Sequence, residues 1–329
     1  MTSDRTEAED LAGAAAAAGL APSVHNTQPW RWRVGPDRLD LYADRSRQLP
    51  ATDPTGRLLM LSCGAALHHA RVALAAEGWN AAVALFPSRD DPDHIARVVR
   101  GARVGVRPEA MRLFQAVRTR HTDRRPVADV PVPTAALAAI RKAVETERAH
   151  LHLLRPEQVS ELAVVEAHAE EVTALDPARH AEIGFWVGGD RGAGTGIPDA
   201  ALPDRTPQTD VPLRDFGRRG DLPAASGHDR AARYAVVFGE EDTPAAWVRA
   251  GAALSAAWLT ATEHGLSVLP FSAVVEVSGA RAALRRMLAG LGHPYLVLRL
   301  GVADSDHPGP PHTPRLDAAQ TVEIVRGGR

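Results

Sequence analysis

Two long alanine-rich helices in this sequence carry the same motif and end in the same way. The motif Gly-Ala-Ala-Leu occupies residues 64–67 and again residues 251–254, 187 positions later. At the same offset a glycine ends each predicted helix, at Gly78 and at Gly265, and an apolar strand follows. Alanine-rich helices resemble one another easily, so chance similarity stays an alternative. The shared length, glycine and strand favour a duplicated unit whose copies pack about a pseudo-two-fold axis, with a pocket at their junction.

The periodicity of the rest of the chain predicts an α+β protein of 329 residues. Alternation of apolar and polar residues predicts a hairpin of strands at 30–34 and 39–42, and helical spacing predicts helices at 7–19, 57–77 and 93–99. The later predicted elements are helices at 109–117, 134–145, 156–175, 177–187, 244–264 and 277–288, and strands at 81–86, 150–154, 233–239, 266–271, 295–301 and 322–325.

The composition is typical of a soluble globular protein. Hydrophobic residues make up 45% of the chain and charged residues 24%, and the formal net charge is −2, so neither nucleic acid nor a membrane surface is expected as a partner. The N-terminus lacks a signal-peptide pattern, and no apolar run is expected to span a membrane. Cys63 is the only cysteine, which excludes a disulfide and a cysteine-based metal cage. We therefore predict a cytoplasmic protein without a metal site.

The loop between the first helix and the first strand, residues 21–30, concentrates polar side chains in a stiff segment. Pro22 and Pro29 fix φ near its two ends and remove backbone donors. Its polar side chains can present hydrogen-bond donors and acceptors to a planar heterocycle; they include Ser23, Asn26 and Gln28. The alternative is a simple connector whose polar side chains satisfy their own backbone.

The order of residues in this loop resembles a known motif. Residues 22–30, Pro-Ser-Val-His-Asn-Thr-Gln-Pro-Trp, resemble the P-S-x-x-N-x-Q-P-W loop of the nitroreductase-like flavoproteins. In that family FMN lies at a dimer interface, and this loop touches its isoalloxazine and ribityl portions. The resemblance implies FMN contacts from the side chains of Ser23, Asn26 and Gln28 and from the backbone of Pro22 and Val24. His25 and His121 could lie near the flavin, and the alternative for both is a role in packing or as neighbours of the phosphate.

Two further stretches resemble the segments that hold the FMN phosphate in this family. Arg120-His-Thr122-Asp-Arg124 resembles an R-x-S-x-R motif, with threonine in place of serine, although the family's motif is N-terminal. Arginine can donate paired hydrogen bonds to phosphate oxygens, and the alternative is a solvated basic loop. The segment 310–315 resembles the family's C-terminal basic segment, which implies a phosphate contact from Arg315.

A third stretch, residues 269–273, resembles the segment that lies along the flavin ring. It implies ring contacts from Pro270, Phe271 and Ser272. Typical members have an acid-glycine pair where this chain has Ser272-Ala273. The edge of the ring near N5 is therefore expected to be contacted differently here.

The duplication resembles the fused, Acg-type branch of the family, in which one chain does the work of two subunits. It implies a nitroreductase-like fold with a first half at 1–105, a second half at 106–329 and a lid at about 188–229, as a monomer or a weak homodimer. We expect FMN-mediated transfer of hydride or electrons from NAD(P)H or a substrate to a nitro compound, quinone or other small acceptor. No side chain is expected to act as a catalytic acid or base. The alternative is a protein that stores or sequesters FMN behind a closed lid.

Overall fold

The computed structural model describes residues 7–188, 194–224, 227–303 and 309–325. Within them, the helices are α1 (Glu7–Ala18), α2 (Arg57–Ala76), α3 (Pro108–Thr119), α4 (Thr134–Thr146), α5 (Pro156–Leu175), α6 (Pro177–Trp186), α7 (Pro244–Glu263), α8 (Ala273–Glu276), α9 (Ser278–Met287) and α10 (Ala318–Thr321). The strands are β1 (Trp30–Val34), β2 (Arg38–Ala43), β3 (Trp79–Leu85), β4 (His94–Arg103), β5 (His150–Leu153), β6 (Arg233–Gly239), β7 (Leu266–Phe271), β8 (His293–Val302) and β9 (Val322–Ile324).

The described strands form two sheets, and the α+β class is confirmed. The first sheet has the order β3-β4-β2-β1-β9; its last pair is parallel, with Trp32 opposite Val322, and its other pairs are antiparallel. The second sheet has the order β5-β6-β8-β7 and is antiparallel throughout. Trp30 and Trp32 share one face of β1 and are fully buried in the core beside the first sheet.

The two similar helices, α2 and α7, cross each other through the repeated glycines. A Cβ atom on Gly64 would overlap the carbonyl oxygen of Val248, and one on Gly251 would overlap that of Leu61. Leu61 and Gly64 in α2 correspond to Val248 and Gly251 in α7, each 187 residues later, so the two contacts are equivalent. The hydrogen-bonded residues His68 and Ser255 are separated by the same 187 positions. The glycines allow the two backbones to touch, and the symmetric contact supports a duplicated unit folded about a pseudo-two-fold axis.

Helix α2 is long and apolar, with 20 residues. By length and composition it could cross a membrane, although we predicted no such run, and 89% of the tested stretch is buried inside the protein. Burial on all sides is expected of a helix in the middle of a large core. We therefore assign α2 to the core.

The helix predicted at residues 93–99 is wrong, because this segment is strand β4. Its spacing of Ile95, Val98 and Val99 imitates a helix, but β4 pairs with both β2 and β3. Pairing on two sides outweighs local helical propensity in a segment this short. The two four-residue helices α8 and α10 were not predicted.

The segment predicted as a lid is irregular where it is described. Residues 194–224 contain one turn of 3₁₀ helix, Asp199–Ala201, and isolated bridges. Residues 189–193 and 225–226 of the predicted lid, and 304–308 of the proline-rich run before Arg315, lie outside the described residues. Strand β9 returns the C-terminal end to the first sheet. The boundary between halves at 105 and 106 stays a prediction.

Candidate functional site

The 22–30 loop has a backbone shape that is uncommon for residues other than glycine. His25, Asn26 and Gln28 have φ values of 45°, 56° and 50°. The Ser23 hydroxyl accepts a hydrogen bond from the Gln28 amide at 2.9 Å, and the Val24 amide donates to the Ser62 hydroxyl on α2 at 3.3 Å. Left-handed residues cluster at ligand-binding segments, where surrounding contacts hold the strain.

Asn26 connects the loop to two distant segments. Its Nδ2 donates to the carbonyl oxygens of Gly196 and Pro314, both at 2.9 Å. Its Oδ1 accepts from Nη1 of Arg315 at 3.1 Å. The amide therefore fixes the position of Arg315 relative to the loop, while Asn26 itself lines the cavity described below.

Gln28 plays a similar connecting role, but outside the cavity wall. Its Nε2 donates to the carbonyl oxygen of Gly194 at 2.8 Å, and its Oε1 accepts from the Leu316 amide at 3.0 Å. The side chain is buried and is the one predicted site residue that does not line the cavity. Its predicted contact with the flavin ring stays a prediction, and its observed contacts are with the lid and the C-terminal segment.

One cavity lies where α2 and α7 meet the 22–30 loop. Water molecules can place their centres in about 150 Å³ of it, whereas a single water needs about 10–15 Å³ by that measure, so the cavity is far larger than a packing defect. The predicted site residues that line it are Pro22, Ser23, Val24, His25, Asn26, Arg120, Thr122, Arg124, Pro270, Phe271, Ser272 and Arg315. Its apolar wall comes from both halves and includes Leu58, Leu61, Leu254, Trp258 and Leu269.

Three arginines in this wall form what we call the arginine cradle: Arg120, Arg124 and Arg315. Arg120 lies over the ring of Trp258, with Cζ 4.6 Å from the ring centroid. Arg120 and Arg315 each donate through Nη2 to the carbonyl oxygen of Leu20 at 3.3 Å, so the two guanidinium groups are neighbours. The Nε atoms of both are buried and have no hydrogen-bond partner among the described residues.

The arginine cradle has no counter-charge in the part of the chain that the structure describes. No carboxylate there lies within ion-pair distance of the cradle, although other buried arginines are paired, such as Arg299 with Asp229 at 2.8 Å. Burial lowers the pKa of Arg120 to about 9, with the neighbouring Arg315 adding to the effect. Burial also lowers the pKa of Arg124 and of Arg315 to about 10. Buried cations without a counter-charge favour a bound anion, and guanidinium groups suit phosphate.

A second group of buried charges, which we call the Arg214 clamp, faces the same cavity. Arg214 pairs through Nε with Glu170 at 3.1 Å and through Nη2 with Glu276 at 2.6 Å. Its Nη1 lies 3.3 Å from Nε2 of His25. The ion pairs hold the pKa of Glu276 below its ordinary value despite complete burial, and burial, followed by Arg214, lowers the pKa of His25 to about 3. The clamp joins the segment predicted as a lid to α5, α8 and the 22–30 loop.

Phe216 links the two charged groups across the cavity. Its ring lies 5.6 Å from Cζ of Arg124 and makes an edge contact with His25, with centroids 6.2 Å apart. His121 borders the cradle. Its Nδ1–H donates to the Thr119 carbonyl oxygen at 3.1 Å, and its pKa is lowered chiefly by burial. Both histidines are therefore neutral neighbours of the cavity at neutral pH.

Several residues that line this cavity were not predicted from the sequence; they include Glu166, Arg214, Phe216 and Trp258. Arg214 and Phe216 lie in the irregular lid, where no periodicity marks a functional side chain. Trp258 occupies an apolar position of α7 and reads as core. The spacing of Glu166 and Glu170 on α5 is typical of a solvated helix face, so only the fold brings them to the cavity.

The geometry can be set beside known proteins. No protein-family model matches the chain. The Mycobacterium tuberculosis (strain H37Rv) protein named "Putative NAD(P)H nitroreductase Rv3131" is 36% identical over 331 residues, which cover 98% of this chain and 94% of its own length. A second protein of that organism, with the same name and the designation acg, is 32% identical over 303 residues, 90% of this chain and 89% of its own.

Solved structures align less closely. A nitroreductase with bound FMN from Bacteroides fragilis covers 65% of this chain and 98% of its own, at 15% identity and a TM-score of 0.40. The two sequence relatives match this chain at much higher identity than this structure does. Their identity exceeds 30% over nearly the whole of both chains. The chain therefore belongs to the nitroreductase family.

Proposed function

We propose that the cavity binds FMN and that the arginine cradle holds its phosphate. The observation that carries this proposal is the pair of neighbouring, buried guanidinium groups of Arg120 and Arg315 without a carboxylate partner among the described residues. A phosphate would supply charge to both and an acceptor to their unpartnered Nε atoms. Arg124 and Thr122 line the same end of the cavity and could add donors.

The remaining predicted residues suit the ring and ribityl portions of the same cofactor. Pro270 and Phe271 belong to the strand β7 wall, and Ser272 begins the short helix after it. The loop residues Ser23 and Val24 face them from the first half of the chain. An apolar wall with a few convergent polar groups is typical of cofactor sites.

We infer that the protein is an oxidoreductase that uses this flavin. FMN bound here would supply the chemistry of accepting and donating hydride or single electrons. The names of the two relatives favour NAD(P)H as the donor, and we propose a nitro compound, a quinone or another small organic molecule as the acceptor. The chain's residues would bind and orient the ligands and exclude water. We propose a cytoplasmic protein that needs no second subunit, because both halves of the site are in one chain.

A second candidate function is storage of FMN with little turnover. The described part of the lid is tied to the 22–30 loop through Asn26 and Gln28, and to α5 and α8 through Arg214. So many ties favour a closed lid, which would slow the approach of a hydride donor.

Anaerobic mixing of the purified protein with NADPH or NADH separates the two functions. The yellow protein is expected to lose its flavin absorbance within seconds if it is a reductase, and to keep it if the protein stores FMN. Adding a nitro compound or a quinone should then restore the colour of a reductase. A protein that purifies without colour and does not bind added FMN would refute both.

A further inference from the structure

The cavity wall contains one buried acid that the ion pairs of the Arg214 clamp leave out. Glu166 lies on α5, lines the cavity and is 1% exposed. Its Oε2 is buried and has no hydrogen-bond partner among the described residues. A buried carboxyl oxygen without a partner is costly unless the group is neutral and the oxygen meets a partner when a ligand binds.

The arginine that faces Glu166 is already paired with two other acids. Arg214, from the lid, is already paired with Glu170 on α5 and Glu276 on α8. His25, from the 22–30 loop, lines the same cavity, and burial keeps it neutral. Two carboxylates and one guanidinium already carry a net charge of −1, so a third ionised carboxylate would be repelled. Burial raises the pKa of Glu166 to about 8; Arg214 opposes the shift, and Glu170 and Glu276 add to it.

We propose that Glu166 stands in the cavity as a neutral carboxylic acid and that its Oε2–H donates a hydrogen bond to the bound ligand. The acceptor is a carbonyl oxygen or ring nitrogen of the flavin, or an oxygen of the small organic oxidant. Such atoms accept hydrogen bonds, and a protonated carboxyl group has one O–H to donate. The inference rests on the proposed function, since it concerns the ligand of the same cavity. It assigns a ligand contact to an acid on α5, outside every stretch that resembles the family's FMN-binding segments.

Infrared difference spectroscopy tests the protonation state directly. At pH 7 the wild-type protein is expected to show the carbonyl stretch of a protonated carboxylic acid, and Glu166→Gln should lose it. Glu161→Gln, an exposed position on the same helix, is the matched control and should keep the band. A wild-type spectrum that Glu166→Gln leaves unchanged would overturn the inference.

Ligand addition then tests the hydrogen bond and identifies the acceptor. A shift of the Glu166 band on adding FMN alone assigns the acceptor to the flavin. A shift that appears only when nitrobenzene is added to the oxidised, FMN-loaded protein assigns it to the small oxidant. A band that neither ligand moves overturns the inference while FMN binding, followed by fluorescence, leaves the proposed function standing. Wild-type protein that binds no FMN overturns both.

Discussion

Two groups of buried charges face the same cavity, and they are built in opposite ways. The arginine cradle has three guanidinium groups and, among the described residues, no carboxylate partner. The Arg214 clamp has one guanidinium group, which pairs with two carboxylates and lies beside a third. Charges that pair within the protein can hold elements together, whereas charges left without a partner are poised for a ligand. The clamp is therefore expected to stabilise the fold, and the cradle is expected to bind a ligand.

Removing the cation of the clamp is expected to have the largest effect on stability. Arg214→Ala would leave Glu170 and Glu276 buried without a counter-charge, and breaking a buried ion pair from one side costs about 3–5 kcal/mol. We expect a fall of that size in the free energy of unfolding, measured by urea denaturation at pH 7.

The control for this prediction lies in the same segment. Arg218 also pairs with an acid, Asp199, but its side chain is 42% exposed, so Arg218→Ala should cost only about 0–1 kcal/mol. Equal effects from the two substitutions would show that the clamp does not stabilise the fold. Lowering the pH should partly rescue Arg214→Ala, because protonation removes the uncompensated charges.

Removing a cation of the cradle should instead weaken ligand binding. If Arg120 holds the phosphate of FMN, Arg120→Ala should lose about 1.5–3 kcal/mol of binding free energy, the usual value for a charge-assisted hydrogen bond. Titration of the unliganded protein with FMN, followed by flavin fluorescence, measures the loss. Arg118 lies two residues away and is exposed, so Arg118→Ala should bind FMN as the wild type does. Unchanged affinity in Arg120→Ala would leave the cradle without its proposed ligand.

The pH dependence of stability should reveal Glu166, the acid that lies beside the clamp without an ion pair. Glutamate in an unfolded chain has a pKa near 4.3, and burial raises that of Glu166 to about 8 in the folded protein. Between those values the folded state retains a proton that the unfolded chain has released, so the free energy of unfolding falls as the pH rises. His25, whose pKa is lowered, and Glu276 act in the opposite direction below about pH 6.5.

The contribution of Glu166 is therefore measured as a difference between two proteins. Unfolding free energies of the wild type and of Glu166→Gln, taken from about pH 5 to about pH 8, should diverge by at most about 1.4 kcal/mol per pH unit. The wild type should lose stability relative to the variant as the pH rises. Parallel curves would show that Glu166 is ionised in the folded protein, as its neighbours in the clamp are.

Much of the fold and of the cradle was predictable from the sequence, but none of the clamp was. The alternation of apolar and polar residues located β1, and the apolar runs that end at Gly78 and Gly265 located α2 and α7. Periodicity failed for β4, where pairing with two other strands overrides local spacing. The cradle arginines stand in short motifs that survive as sequence patterns. Arg214 and Glu166 are 48 residues apart on a loop and a helix, and only tertiary packing, which no local pattern records, brings them together.

The smallest predicted effect concerns the uncharged hydrogen bonds that join Gln28 to the segment predicted as a lid and to the C-terminal segment. Gln28→Ala removes the acceptor of the buried Leu316 amide and the donor to the Gly194 carbonyl oxygen, which should cost about 1–2 kcal/mol locally. Hydrogen exchange at the Leu316 amide should rise about 5- to 30-fold, while the exposed control Gln115→Ala leaves it unchanged. If the amide of Leu316 exchanges at the wild-type rate in Gln28→Ala, these bonds do not hold the C-terminal segment. If it exchanges faster while the clamp remains intact, the segment predicted as a lid is held at two independent points, by hydrogen bonds beside the cradle and by ion pairs at the clamp. A ligand could then loosen one point without opening the other.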